Sequence, residues 1–195
     1  MRHHARVAEP DDDRCERILD AAFAKFSAYG FARTSMADIA EGAGMSRPAL
    51  YQYYANKEDI FGATFERVLT TAATRAIAKL DGPGDLAAQL DGFLQRWFGD
   101  LVEQLHGTQH GDELMQAKAA HARPVAEAVD ARLRKALTDR IARELSAPRT
   151  RTDVVDLVDL TMLAGLGCKQ DAPPVARFRR RLTALARALA AITTR

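Results

Sequence analysis

The chain has 195 residues, 47% hydrophobic and 28% charged, with 28 Lys and Arg against 26 Asp and Glu and a net charge of +2. That length carries one sizeable core, or a small domain joined to a larger one. The near-neutral balance argues against a protein that coats nucleic acid by bulk charge, but a specific reader needs only a local positive face. No window holds the ~18 consecutive apolar residues of a membrane span. The start, M-R-H-H-A-R-V-A-E-P-D-D-D, lacks the apolar stretch of a secretory signal. The expectation is a cytoplasmic protein with no membrane partner. Cys15 and Cys168 lie far apart in the chain and read as two free thiols.

Helical spacing runs through nearly the whole chain. Asp13 and Glu16 have capping-box spacing and predict a first helix from Asp13, with Ile18, Leu19, Ala22, Phe23 and Phe26 on one face and Gly30 as its left-handed stop. The acids at 11–13 suit the positive end of that helix. A second helix opens at Thr34 or Ser35, where Ser35 and Asp38 repeat the box, and ends near Gly42. Its inward side is Met36, Ile39 and Ala40. Ala43-Gly44-Met45 is a tight turn. Ser46 then caps a third helix ending near Tyr54. Pro48 disfavours helical geometry at Arg47, which leaves Arg47 as the alternative cap, with Pro48 at the first helical position. Asn56 caps a fourth helix, with Asp59 three residues on, running to about Leu80.

Asp81-Gly82-Pro83-Gly84 breaks the pattern. The next helix carries Leu86, Leu90, Phe93, Leu94, Trp97, Leu101 and Leu105. Phe98 and Val102 fall off that stripe, as on a helix buried on more than one side. Two more helices are expected over about 112–121 and 124–145, then an apolar one over 154–166. Pro173-Pro174 opens a last helix whose Val175, Phe178, Leu182, Leu185 and Leu189 form a near-heptad seam. The fold class is all-α, with about nine helices. We divide it into 12–72, a helix-turn-helix domain with its motif at about 35–54, and 73–195, a helical bundle domain.

The segment Thr34 to Lys57 has the layout of a DNA-reading helix-turn-helix. A recognition helix must be short, anchored, and polar outside. Leu50 and Tyr54 share a face and anchor it with Ile39 and Met45. Arg47 is placed to fork onto guanine, worth ~1–3 kcal/mol of discrimination, and Gln52 onto adenine. Ala49 and Tyr51 suit a thymine methyl, and Tyr53 a phosphate. Thr34, Ser35 and Lys57 sit at helix starts, where free N–H groups attract phosphate. With Ser46 and Pro48, these make the expected DNA-binding set. The local charge is modest, with Arg33, Arg47 and Lys57 against Asp38 and Glu41.

This segment resembles the TetR family of bacterial transcriptional regulators. The resemblance rests on I-L-D-A-A-F-A-K-F at 18–26, Y-G-F-A-R-T-S-M at 29–36, D-I-A at 38–40, and G-M-S-R-P-A-L-Y-Q-Y-Y-A-N-K-E-D-I-F at 44–61. Met45 stands where the family usually has valine or isoleucine, and Tyr54 where it usually has phenylalanine, adding a hydroxyl that needs a partner or solvent. The resemblance implies an all-helical homodimer on a pseudo-palindromic double-stranded operator. It implies a divergent C-terminal domain that dimerises through its last two helices and binds a small apolar or amphipathic effector that releases DNA. The expected role is a repressor.

For the effector pocket, the expectation is Phe65, Leu69, Phe93, Leu94, Trp97, Leu101 and Met115. For the dimer interface it is Val158, Met162, Phe178, Leu182, Leu185 and Leu189. Asp153, Asp156 and Asp159 form an acidic stripe, and Arg177, Arg179, Arg180, Arg181 and Arg187 a basic one. We expect some of these charges to pair within the bundle or across the two-fold. His106 and His110 are four apart, but Gly107 and Gly111 make the stretch a loop, so no metal and no cofactor is expected. No nucleophile elbow, phosphate loop or zincin signature is present, so no enzyme is expected. The alternative function is a helical protein-interaction adaptor without DNA binding.

Overall fold

The computed structural model describes residues 11–100, 113, 114, 117, 120–145 and 151–194, with backbone alone at 151 and 152. The expected contact points Leu101 and Met115, the pair His106 and His110, and the N-terminal tail lie outside them. Among the described residues the regular structure is helical: α1 (Asp11–Tyr29), α2 (Met36–Gly42), α3 (Arg47–Leu50), α4 (Lys57–Ile77), α5 (Leu86–Leu94), α6 (Arg123–Glu144), α7 (Arg151–Gly167) and α8 (Val175–Thr193). A short 3₁₀ turn, Ala78–Asp81, follows α4, and a π turn, Gln95–Gly99, follows α5. Half of the residues of the ninth helix expected over about 112–121 are not described.

The chain forms two compact units. The first runs to Arg67 and takes in the described residues among 113–123. The second begins at Val68 and continues from Pro124. The boundary expected at 72/73 therefore differs in two ways. The division falls within α4, and a segment placed by sequence in the second domain packs with the first. That return comes from contacts made across a long stretch of chain, which local patterns do not encode.

In the first unit, α1, α2, α3 and the start of α4 enclose Ile18, Ala22, Phe26, Ile39, Leu50, Ile60 and Phe61, all at 1% exposure or less. Leu114, Ala117 and Ala122 join the same cluster. Phe26, Phe31, Phe61 and Phe65 pack ring on ring, with Phe61 edge-on to Phe26 at 5.2 Å and stacked on Phe65 at 4.4 Å. Arg67 on α4 grips α1, its guanidinium donating to Glu16 at 2.5 Å and Asp20 at 2.6 Å. Partial burial works against the charge of Arg67, but these bonds outweigh it and strengthen its hold on the proton.

In the second unit, α8 packs on α5, on the π turn and on α7. Its core holds Leu90, Phe93 and Leu94 from α5, Leu133, Leu137 and Ile141 from α6, Val158 and Met162 from α7, and Phe178, Leu182 and Leu189 from α8. The π turn departs from the continuous α-helix expected to Leu105. Asp100 N–H donates to the Gln95 carbonyl, one residue further back than in an α-helix. The extra residue re-phases the helix, so Phe98 turns into the core while Trp97 stays half-buried. Phe98 rests directly on Gly165 of α7, where a Cβ would come within 2.3 Å of its ring. Across this turn Gln95 donates to the Arg179 carbonyl at 2.9 Å and to Thr183 at 3.2 Å, fixing α5 to α8.

The start of α1 also differs. Asp11–Asp13 already lie in its first turn, so Asp13 is not the cap, and the three carboxylates instead complement the helix dipole. Both cysteines are free and half-buried, and burial pushes each thiol up from its ordinary value.

Candidate nucleic-acid interface

Local sequence builds this region almost residue by residue. Ser35 adopts extended backbone and caps α2. Its hydroxyl accepts from Asp38 N–H at 3.2 Å, while the Asp38 carboxylate accepts from Ser35 N–H at 2.8 Å. Hydrogen bonds from the Ser35 hydroxyl and backbone hold the Asp38 carboxyl below its ordinary value. Gly44, at φ +67, makes the turn that only glycine adopts easily. Ser46 is the cap of α3, accepting from Ala49 N–H at 3.3 Å. Arg47 is thus the first helical residue and Pro48 the second. Proline is tolerated there because that N–H has no intrahelical acceptor. Formal α3 stops at Leu50, short of the expected Tyr54. Gln52 N–H and Tyr53 N–H bond three residues back, tightening the last turn into 3₁₀ geometry.

Leu50 and Ile39 are fully buried, and Met45 and Tyr54 pack half-buried against the same cluster. Partial burial raises the Tyr54 phenol above its ordinary value. On the outer side, Ser35, Ser46, Arg47, Pro48, Tyr51 and Gln52 are exposed, with Ala49 half-exposed between them. The Arg47 guanidinium stands 5.6 Å from the Tyr51 ring centre and donates to the Tyr51 hydroxyl at 3.2 Å.

Three expected DNA contacts are placed differently. Thr34 is 2% exposed, and its hydroxyl donates to the Gly30 carbonyl at 2.7 Å, so it closes the α1–α2 loop rather than facing outward. The Lys57 ammonium turns back onto that loop, donating to the Phe31 carbonyl at 2.8 Å and lying 4.4 Å from the Phe31 ring centre. The Tyr53 hydroxyl donates to Asp11 at 3.2 Å and accepts from Arg14 at 3.3 Å, tying the reading turn to α1. In each case a polar side chain at a helix end finds a protein acceptor, which outcompetes solvent exposure. Sequence reasoning missed Arg14, Glu113, whose carboxylate accepts from Ala32 N–H at 2.7 Å, and His121, whose ring centre lies 5.0 Å from that of Phe31. No local pattern marks contacts between residues so distant in the chain.

The remaining expected sites lie mainly in the second unit. Leu69, Phe93 and Leu94 are buried in its core with Trp97 at the edge, whereas Phe65 belongs to the first unit's core. A cleft of about 380 Å³ lies elsewhere, lined by Ile77, Leu80, Asp81, Ala136, Asp139 and Arg143. The expected dimer residues sit in the core of the second unit. Val158, Met162, Phe178, Leu182 and Leu189 are at 2% exposure or less and Leu185 packs against them, all filling this chain's own core. The apolar side chains left outward are Val155, Leu160, Leu163 and Leu166 on α7 and Ile192 on α8. Of the two charge stripes, Asp159 pairs with Arg134, Arg179 with Asp100, and Arg181 with Asp171, all within the chain.

A capped helix, a glycine turn and a short second helix with a polar outer face define a helix-turn-helix protein. The profile of bacterial regulatory proteins of the tetR family matches residues 18–64. The uncharacterized HTH-type transcriptional regulator YfiR of Bacillus subtilis is 36% identical over 73 residues, which are 37% of this chain and 34% of that one. The first curated relatives are thus matched over about a third of their length. The HTH-type transcriptional repressor Rv1474c of Mycobacterium tuberculosis is 27% identical over 170 residues, 81% of this chain and 84% of that one. A crystal structure of a transcriptional regulator from Rhodococcus superposes with a TM-score of 0.69 at 18% identity, covering 90% of this chain and 95% of that one. Residues 18–64 thus match the tetR-family profile, and the whole chain shares its fold with solved transcriptional regulators.

Proposed function

We propose that this chain is a sequence-specific DNA-binding transcriptional regulator, acting as a homodimer and released from its operator by a small apolar or amphipathic effector. The observation that carries the reading is the α2–turn–α3 geometry, with Leu50 buried beneath and Arg47, Tyr51 and Gln52 exposed above. The match of residues 18–64 to the tetR-family profile and the likeness to a named repressor support repression as the mode. DNA reading is assigned to the unit that runs to Arg67, and dimerisation and effector binding to the unit that begins at Val68. Arg47 and Gln52 supply the base contacts, and Ser35, Ser46, Pro48 and Ala49 border them.

Dimerisation is assigned to the outward leucines of α7 with Ile192 of α8, since they are the large apolar side chains these helices leave uncovered. The effector is assigned to the second unit beside Trp97, with Leu69, Phe93 and Leu94 behind it. Selection from a pool of random duplexes with the full chain tests the reading. The expected product is a pseudo-palindrome whose half-sites lie about one helical turn apart. Equal retention of all sequences would refute it.

A further inference from the structure

Arg47 and Tyr51 stand one helical turn apart on the exposed side of the reading region. The guanidinium lies 5.6 Å from the ring centre, and one of its Nη groups donates to the phenol at 3.2 Å. Among the described residues no carboxylate pairs with Arg47, so its charge is held in place without being neutralised. Tyr51 is 44% exposed, a large aromatic surface for a side chain whose polar tip is already engaged. A tyrosine used this way is poorly placed to pack on a thymine methyl, because the guanidinium lies over its ring.

We propose that Arg47 and Tyr51 form a single base-reading unit, in which Tyr51 is a positioning residue that pre-sets the Arg47 guanidinium and thereby sets a guanine preference at one position of each half-site. This rests on the DNA-binding reading above. The chemistry is compatible: a guanidinium has five N–H donors in a fixed fork. Donating one Nη hydrogen to the phenol leaves the other Nη hydrogen and the second Nη free to meet guanine O6 and N7 together. The hydrogen bond to the phenol and the cation–π contact at 5.6 Å restrict the side chain before DNA arrives, which lowers the cost of ordering it on binding. Tyr51 then contributes to specificity without touching a base.

The test uses the full chain and the duplex selected above, compared with the same duplex carrying adenine in place of the guanine assigned to Arg47. The parent protein should prefer guanine by roughly 10- to 100-fold. R47A should abolish the preference. Y51A should cut it to within about threefold, while the slope of affinity against salt stays unchanged because no phosphate contact is lost. Y51F, which keeps the ring but loses the hydrogen bond, should fall between parent and Y51A. The double variant R47A/Y51A should discriminate no worse than R47A alone. Full preference in Y51A would overturn the proposal. So would a uniform loss across all sequences with a shallower salt slope, which would make Tyr51 a phosphate contact. If Y51A misfolds, Y51F decides: an unchanged preference in that variant also counts against the pair. Failure of the selection to enrich any sequence would instead remove the DNA-binding reading itself.

Discussion

Leu50 is the only buried side chain of the four-residue α3, and it is 0% exposed, so it is the main apolar anchor of that helix. Leu50→Ala removes three carbons from a cluster that includes Ile18, Ile39 and Ile60. At ~0.8 kcal/mol per buried CH₂ the lost transfer free energy comes to ~2.4 kcal/mol. The unfilled space adds on the order of 1 kcal/mol, since cavities cost ~24 cal/mol per Å³ and helices α1, α2 and α4 surround the site. The expected cost is therefore about 3–4 kcal/mol. All four tyrosines lie at positions 29–54, so tyrosine absorbance during urea unfolding reports this unit. Leu50→Met, which conserves volume, should cost less than ~1.5 kcal/mol. A Leu50→Ala cost below ~1 kcal/mol, or a Leu50→Met cost equal to it, would refute the anchoring role of Leu50.

Gly30→Ala meets a backbone at φ +80 and a Glu113 oxygen 2.2 Å from the new Cβ. The strain of ~1–2 kcal/mol and the weakened Glu113–Ala32 bond should lower the thermal midpoint, and an unchanged midpoint would remove Glu113 from the loop. Asp171 is held at about 2, below its ordinary 3.8, chiefly by hydrogen bonding to Arg181. Its contribution is complete above 3.8 and is lost as pH falls through about 2, so the stability gap between parent and Asp171→Asn should close over that window. A gap that persists below it would contradict the pairing. Leu163, 61% exposed, lies in the surface assigned to a second copy. Leu163→Glu should yield a folded monomer by sedimentation, and an unchanged mass would move the interface elsewhere.

The features legible in the sequence are those made by neighbours in the chain. The Ser35–Asp38 box, the Gly30 stop, the Ser46 cap and the Leu50 anchor all depend on contacts within one or two turns. Features that depend on distant partners were not legible. Thr34 and Lys57 have the polar character of phosphate contacts, and only tertiary packing turns them onto the Gly30 and Phe31 carbonyls. The seam of Phe178, Leu182 and Leu189 was legible as an apolar face. Periodicity alone did not say whether this chain or a second copy covers it. The π turn shows in the hydrophobic pattern only as a shift of phase, which reads equally as a helix buried on more than one side. Phe98 looked out of place for that reason.

The account turns on specific recognition of DNA by two copies of the chain. The direct measurement is fluorescence anisotropy of the selected duplex against a scrambled one of equal length, at a fixed near-physiological salt, with stoichiometry from sedimentation. The account predicts two or a small even number of chains per site, at least ~10³-fold tighter binding to the selected duplex, and loss of that preference in Arg47→Ala. Equal affinity for both duplexes, or a preference untouched by Arg47→Ala, would contradict it.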